Sequence, residues 1–64
     1  MTVYTIIKTY REQTVSEEER EFKSLLQAKR NAPEILGSQE VVSIYQNGFL
    51  VARKRFDAGR AHWI

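Results

Sequence analysis

Val41–Phe56, VVSIYQNGFLVARKRF, is the stretch on which the reading of this chain turns. Asn47-Gly48 lies between two runs rich in β-branched and aromatic residues. Both central residues of a type I′ turn need positive φ, so the pair marks a β-hairpin. With Asn47 and Gly48 as the loop, Gln46 faces Phe49, Tyr45 faces Leu50, Ile44 faces Val51 and Val42 faces Arg53. That register puts Val42, Ile44, Phe49 and Val51 on one face and Val41, Tyr45, Leu50, Ala52 and Phe56 on the other. A chain this short covers only one apolar face well, and function is expected on the uncovered one.

Working outward, Thr2–Arg11 reads as a strand, with Thr, Val, Tyr and Ile dominant and no Gly or Pro. Tyr4, Ile6, Lys8 and Tyr10 share one side; Val3, Thr5, Ile7 and Thr9 share the other. Glu12-Gln13-Thr14 reads as a connection. Ser16-Glu17-Glu18-Glu19 has the capping-box pattern, in which the Ser hydroxyl accepts the Glu19 backbone N–H and the Glu19 side chain returns to Ser16. Acidic residues there, with Lys29 and Arg30 at the far end, complement a helix dipole. Phe22, Leu25 and Leu26 supply a narrow buried stripe. The expectation is a helix over 17–31, ended by Pro33, with Ile35 and Leu36 plugging the core rim. After the hairpin at 40–56, Asp57-Ala58-Gly59 breaks the strand. Residues 57–64 form a tail whose Trp63-Ile64 end docks back on the core.

These elements predict a single small α+β domain of order β-α-β-β. Its sheet has three antiparallel strands in order 1-3-2, and one main helix covers one face. The strand Val41–Tyr45 is then an edge without central charge, open to strand addition.

Composition removes several classes. With 64 residues and no cysteine, the chain has no disulfides, and His62 is its only histidine, so neither structural zinc nor another metal is expected. No apolar run approaches the roughly 20 residues of a bilayer span. Met1-Thr2-Val3-Tyr4 lacks the basic and apolar regions of a signal peptide, and a cytoplasmic location is expected. Ten basic against eight acidic side chains give a net charge of +2, too mild by itself to argue for nucleic acid.

Catalytic constellations are missing. Gly37, Gly48 and Gly59 are too far apart for a phosphate loop, and no nucleophile elbow surrounds Ser16, Ser24, Ser38 or Ser43. His62 becomes a general-base candidate only if the tail packs beside Asp57 or a helix Glu. No cofactor and no small-molecule substrate is indicated, and a membrane partner is not expected. The expected function is a small non-catalytic module that binds a protein partner or a second copy of itself. In general build it resembles small regulators, inhibitors and accessory factors, including those of phages and mobile elements. The contact residues expected are Tyr4, Tyr10, Tyr45, Leu50, Lys54, Phe56 and Trp63, since aromatics and rim cations suit interface hot spots. The alternative is a nucleic-acid-binding module. There, sheet aromatics stack bases while Lys8, Arg53, Lys54, Arg55 and Arg60 meet phosphates. Stability is expected to rest on Ile6 or Ile7, Phe22, Leu25, Leu26, Val42, Ile44, Phe49 and Val51.

Overall fold

A computed structural model describes all residues, 1–64. The elements are β1 (Thr2–Tyr10), β2 (Gln13–Phe22), α1 (Leu25–Arg30), β3 (Glu40–Gln46), β4 (Phe49–Asp57) and β5 (Arg60–Trp63). They build one antiparallel sheet in the order β2-β1-β3-β4-β5. Strand accounts for 61% of the chain and helix for 9%, so the expected three-stranded sheet with a main helix is overturned. Residues 13–22 are a strand where a helix over 17–31 was expected, the helix is six residues long, and the tail is a fifth strand. β3 lies at the centre, paired to β1 and β4, so it is not the open edge that the three-stranded reading made it.

The local chemistry of the short helix explains part of this. The motif Ser-x-x-Glu/Gln occurs three times, at Ser16–Glu19, Ser24–Gln27 and Ser43–Gln46. Only the second caps a helix. The Gln27 N–H donates to Ser24 Oγ at 3.2 Å, and the Gln27 side-chain oxygen accepts the Lys23 N–H at 2.7 Å. The first motif lies in β2, whose residues pair with β1 from Thr2↔Phe22 to Tyr10↔Gln13. Thirty of the 37 backbone–backbone hydrogen bonds lie within the strands and helix. Ladder pairing with β1 thus supplies the Glu-rich segment with backbone partners that a short exposed helix would have to find alone.

The second difference is one of register. The β3–β4 hairpin starts as expected, with Gln46↔Phe49 and Tyr45↔Leu50, but a β-bulge between Ile44 and Tyr45 shifts the rest by one residue. Ile44 then opposes Ala52, and Val42 opposes Lys54. A one-residue slip sends every later side chain to the opposite face. Ala52, Lys54 and Phe56 therefore join Val42 and Ile44, while Arg53 and Arg55 join Val41, Ser43 and Tyr45.

The core lies on that first face. Tyr4, Ile6, Phe22, Ala28, Ile35, Val42, Ile44 and Ala52 are buried together, with Leu25, Ala32, Phe56 and Trp63 packed around them. The lid is α1 plus the segment that carries Ile35. Lys8 fastens this lid to the sheet: its Nζ lies 3.2 Å from Glu40 Oε1 and donates to the Glu34 carbonyl at 3.2 Å. The Glu40 carboxylate also accepts the Leu36 N–H at 2.6 Å. Several expected core residues are exposed instead, namely Leu26, Leu36, Phe49, Val51 and Ile64. No helix is long and apolar enough to cross a membrane.

Candidate functional site

No residue of the second face of the sheet belongs to the core cluster; its Ile7, Val41 and Tyr45 are half-buried, and Ser38 and Gln39 border it at the Thr9–Val41 end. Register defines its rows. One row runs Glu17–Ile7–Ser43–Arg53 across β2, β1, β3 and β4; the next runs Glu19–Thr5–Tyr45–Leu50. On the other side of the first, Thr14–Thr9–Val41–Arg55–His62 spans all five strands. Glu21 extends the acidic border beside Val3, and Arg60 extends the basic one opposite Asp57.

The face is thus sorted by charge across its width. Glu17, Glu19 and Glu21 line the β2 side; Arg53, Arg55, Arg60 and His62, with Asp57 among them, line the β4–β5 side. Between them lies a neutral band of Thr5, Ile7, Thr9, Val41, Ser43 and Tyr45. Small side chains in the middle and long ones at the border make the surface concave. A concavity of ≈ 600 Å³ is lined by Ile7, Thr9, Val41, Ser43, Tyr45, Arg53 and Arg55, with Glu12 and Thr14 at its acidic side. Ser43, the one buried polar residue, lies at its floor under Arg53, whose Nε donates to Ser43 Oγ at 3.4 Å. The Arg53 stem therefore shields the sheet centre while its charge stays near water.

The bulge divides the expected contact residues between the two faces. Tyr45 and Leu50 are on the open face. Tyr4 is only 5% exposed and packs on Phe22 in the core, ring centroids 6.2 Å apart, so its ring is not a contact surface. Lys54, Phe56 and Trp63 lie on the lidded face. There two cations lie over the Trp63 ring, with Lys29 Nζ 5.5 Å and Lys54 Nζ 5.2 Å from its centroid. Burial pushes Lys54 below the ordinary lysine pKa, with Glu34 pulling it back up and Lys8 adding to the depression. Tyr10 is at the exposed end of the lidded face, its ring under the Arg11 guanidinium at 5.5 Å.

Of the basic residues expected to meet phosphate, Arg53, Arg55 and Arg60 share the open face. Lys8 and Lys54 face the lid, so the five do not form one surface. The tail does bring His62 beside Asp57, Nε2 to Oδ2 3.7 Å. The adjoining concavity, lined by Arg55, Phe56, Asp57, His62, Trp63 and Ile64, places no hydroxyl or thiol next to them, and the contact is a cross-strand His–Asp approach.

Sequence reading missed Glu17, Glu19 and Glu21 as part of this surface. Their odd-numbered spacing is the strand signal, but it is masked by Glu18 and Arg20, which are polar on the alternate positions too. Ile7 and Val41, in the middle of the face, were not among the contact residues expected, although Val41 was placed on the side of Tyr45. No family model, curated protein or solved structure matches the chain.

Proposed function

We propose that this chain is a non-catalytic protein-binding module that docks a protein surface on the open face of its sheet. The observation that carries this reading is the neutral band of Ile7, Val41 and Tyr45, left without a covering layer between an acidic and a basic border. Apolar and aromatic residues ringed by charge are the composition of a specific interface, and a rigid sheet presents them at little entropic cost. Leu50, Val51 and Ile64 extend the apolar surface to one corner, where they line a second concavity. The module acts in the cytoplasm; a chain without cysteine suits a reducing compartment.

Tyr45→Arg and Ile7→Glu test the reading. Each is expected to keep its circular dichroism spectrum and to lose association with the protein that co-purifies with the parent. Undiminished association by both variants overturns it.

The convergence of Arg53, Arg55 and Arg60 with Tyr45 favours single-stranded nucleic acid as the second reading. The acidic half of the same face opposes it, since a phosphate backbone crossing the sheet meets Glu17 and Glu19. Retention of an oligonucleotide at low salt, weakening steeply as salt rises, is its signature.

A further inference from the structure

We propose that the occupant of the open face is a second copy of this chain, stacked sheet to sheet about a two-fold axis that runs parallel to the strands. The inference rests on the docking reading above and names its partner.

Charge sorting selects the arrangement. Two sheets packed face to face keep their strands within about 30° of each other. A symmetric pair then has two options. With the two-fold axis across the strands, acidic border lies over acidic border and basic over basic. With the axis along the strands, the acidic border lies on the side of the other copy's basic border, Glu17 level with Arg53, Glu19 level with Leu50 and Thr14 level with Arg55. Only the second is electrostatically complementary, and like charges held face to face oppose the first. An axis passing between β1 and β3 places β2 over β4 of the second copy. Glu17 and Arg53 belong to the same row, the one that crosses Ile7 and Ser43. Rotation about that axis keeps rows level, so Glu17 faces Arg53 of the second copy, and the reciprocal pair forms by symmetry. A foreign partner would need a surface of both signs at this spacing; the chain carries such a surface itself.

Size agrees. The molecule measures 33 × 21 × 17 Å. Five strands spaced about 4.8 Å apart, each up to ten residues long, account for the two larger dimensions. With β5 of each copy outside the overlap, four strands cover about four-fifths of the 33 × 21 Å outline, roughly 550 Å² per copy, toward the low end of the range for specific interfaces. The fold also has a use for a second layer, because only 9 of its 64 residues are buried. Cores of this size leave little stability in hand.

Sedimentation equilibrium of the parent, of Glu17→Arg and of Arg53→Glu tests the proposal. The parent is expected to dimerise, and to dissociate as sodium chloride is raised, because the contacts that set orientation are screened. Each reversal alone places like charges opposite and is expected to weaken self-association at least tenfold. An equimolar mixture of the two variants restores both pairs and is expected to form a heterodimer as tightly as the parent. If a variant loses its fold when separated from its pair, return of the folded circular dichroism signal on mixing reports the same complementarity.

A parent that stays monomeric at every concentration overturns the proposal, as does a dimer indifferent to both reversals. A monomeric parent whose binding to a separate protein is abolished by Tyr45→Arg removes the self-pairing and leaves the docking face standing. A dimer unaffected by Glu17→Arg, Arg53→Glu and Tyr45→Arg removes both.

Discussion

The β3–β4 hairpin turns on Asn47 and Gly48, and the β1–β2 hairpin turns on Arg11 and Glu12. In both, the two loop residues have positive φ: 52° and 81° in the first, 51° and 66° in the second. Asn and Gly adopt that region readily. Arg and Glu do so against a steric cost of roughly 1–2 kcal/mol per residue. The β1–β2 turn is therefore held from outside. The Arg11 N–H donates to the Gln39 carbonyl at 3.0 Å, and its side chain reaches Gln39 Oε1. At the other end of the hairpin Phe22 is buried, while every residue of β2 before it is exposed. One hairpin is written into its turn; the other is fastened at its two ends by contacts with the rest of the molecule.

The largest effect is expected where that fastening is most concentrated. Phe22→Ala should cost about 3–5 kcal/mol in denaturant unfolding. The loss should appear first as faster hydrogen exchange at the β1–β2 amides. Equal loss of protection at β3–β4 amides would break the distinction between the hairpins.

Gly48→Ala should cost about 1–2 kcal/mol, because an alanine at φ +81° is strained although nothing lies within 4 Å of the added Cβ. Glu12→Ala is expected to be nearly neutral, since that position already bears a side chain. Equal destabilisation by the two alanines would show that turn chemistry does not separate the hairpins.

Replacing Arg11-Glu12 by Asn-Gly should stabilise the fold by about 1 kcal/mol, the strain relieved outweighing the lost Arg11 side-chain contacts. A lower melting temperature would mean that the tie to Gln39 matters more than the turn.

The smallest effect concerns the start of β3. The Glu40 carboxyl is held below the usual carboxylate range, first by the Leu36 N–H and then by the Lys8 ammonium. A depressed folded pKa contributes stability above the unfolded value, and that stability is lost as pH falls through the folded one. The parent should therefore melt lower at about pH 3 than at about pH 6, and Glu40→Gln should narrow that difference. Identical pH profiles for the two proteins would remove Glu40 from the account.

Legibility follows the range of the forces involved. β1, β3, β4 and the Asn47-Gly48 turn were readable because each rests on near neighbours. The Ser16–Glu19 capping box misled because a local motif offers a helix start without guaranteeing one. Ser24–Gln27 carried the same motif and was the true cap. The candidate face was readable as an idea, an apolar side without a lid, but not in its membership. The bulge at Ile44/Tyr45 exchanged Ala52 and Phe56 for Arg53 and Arg55, and no residue type announces that extra step.

Taken alone, the sequence determined a small chain with a type I′ hairpin at Asn47-Gly48, no disulfide and too few covering residues for two sheet faces, because those properties depend on φ preferences, composition and length. Tertiary structure decided that the Glu-rich segment is a strand, that β3 is central, and that acid and base border the same open face. Strand partners and register are fixed by hydrogen bonds and packing between residues far apart in the chain, where short-range propensity has no purchase.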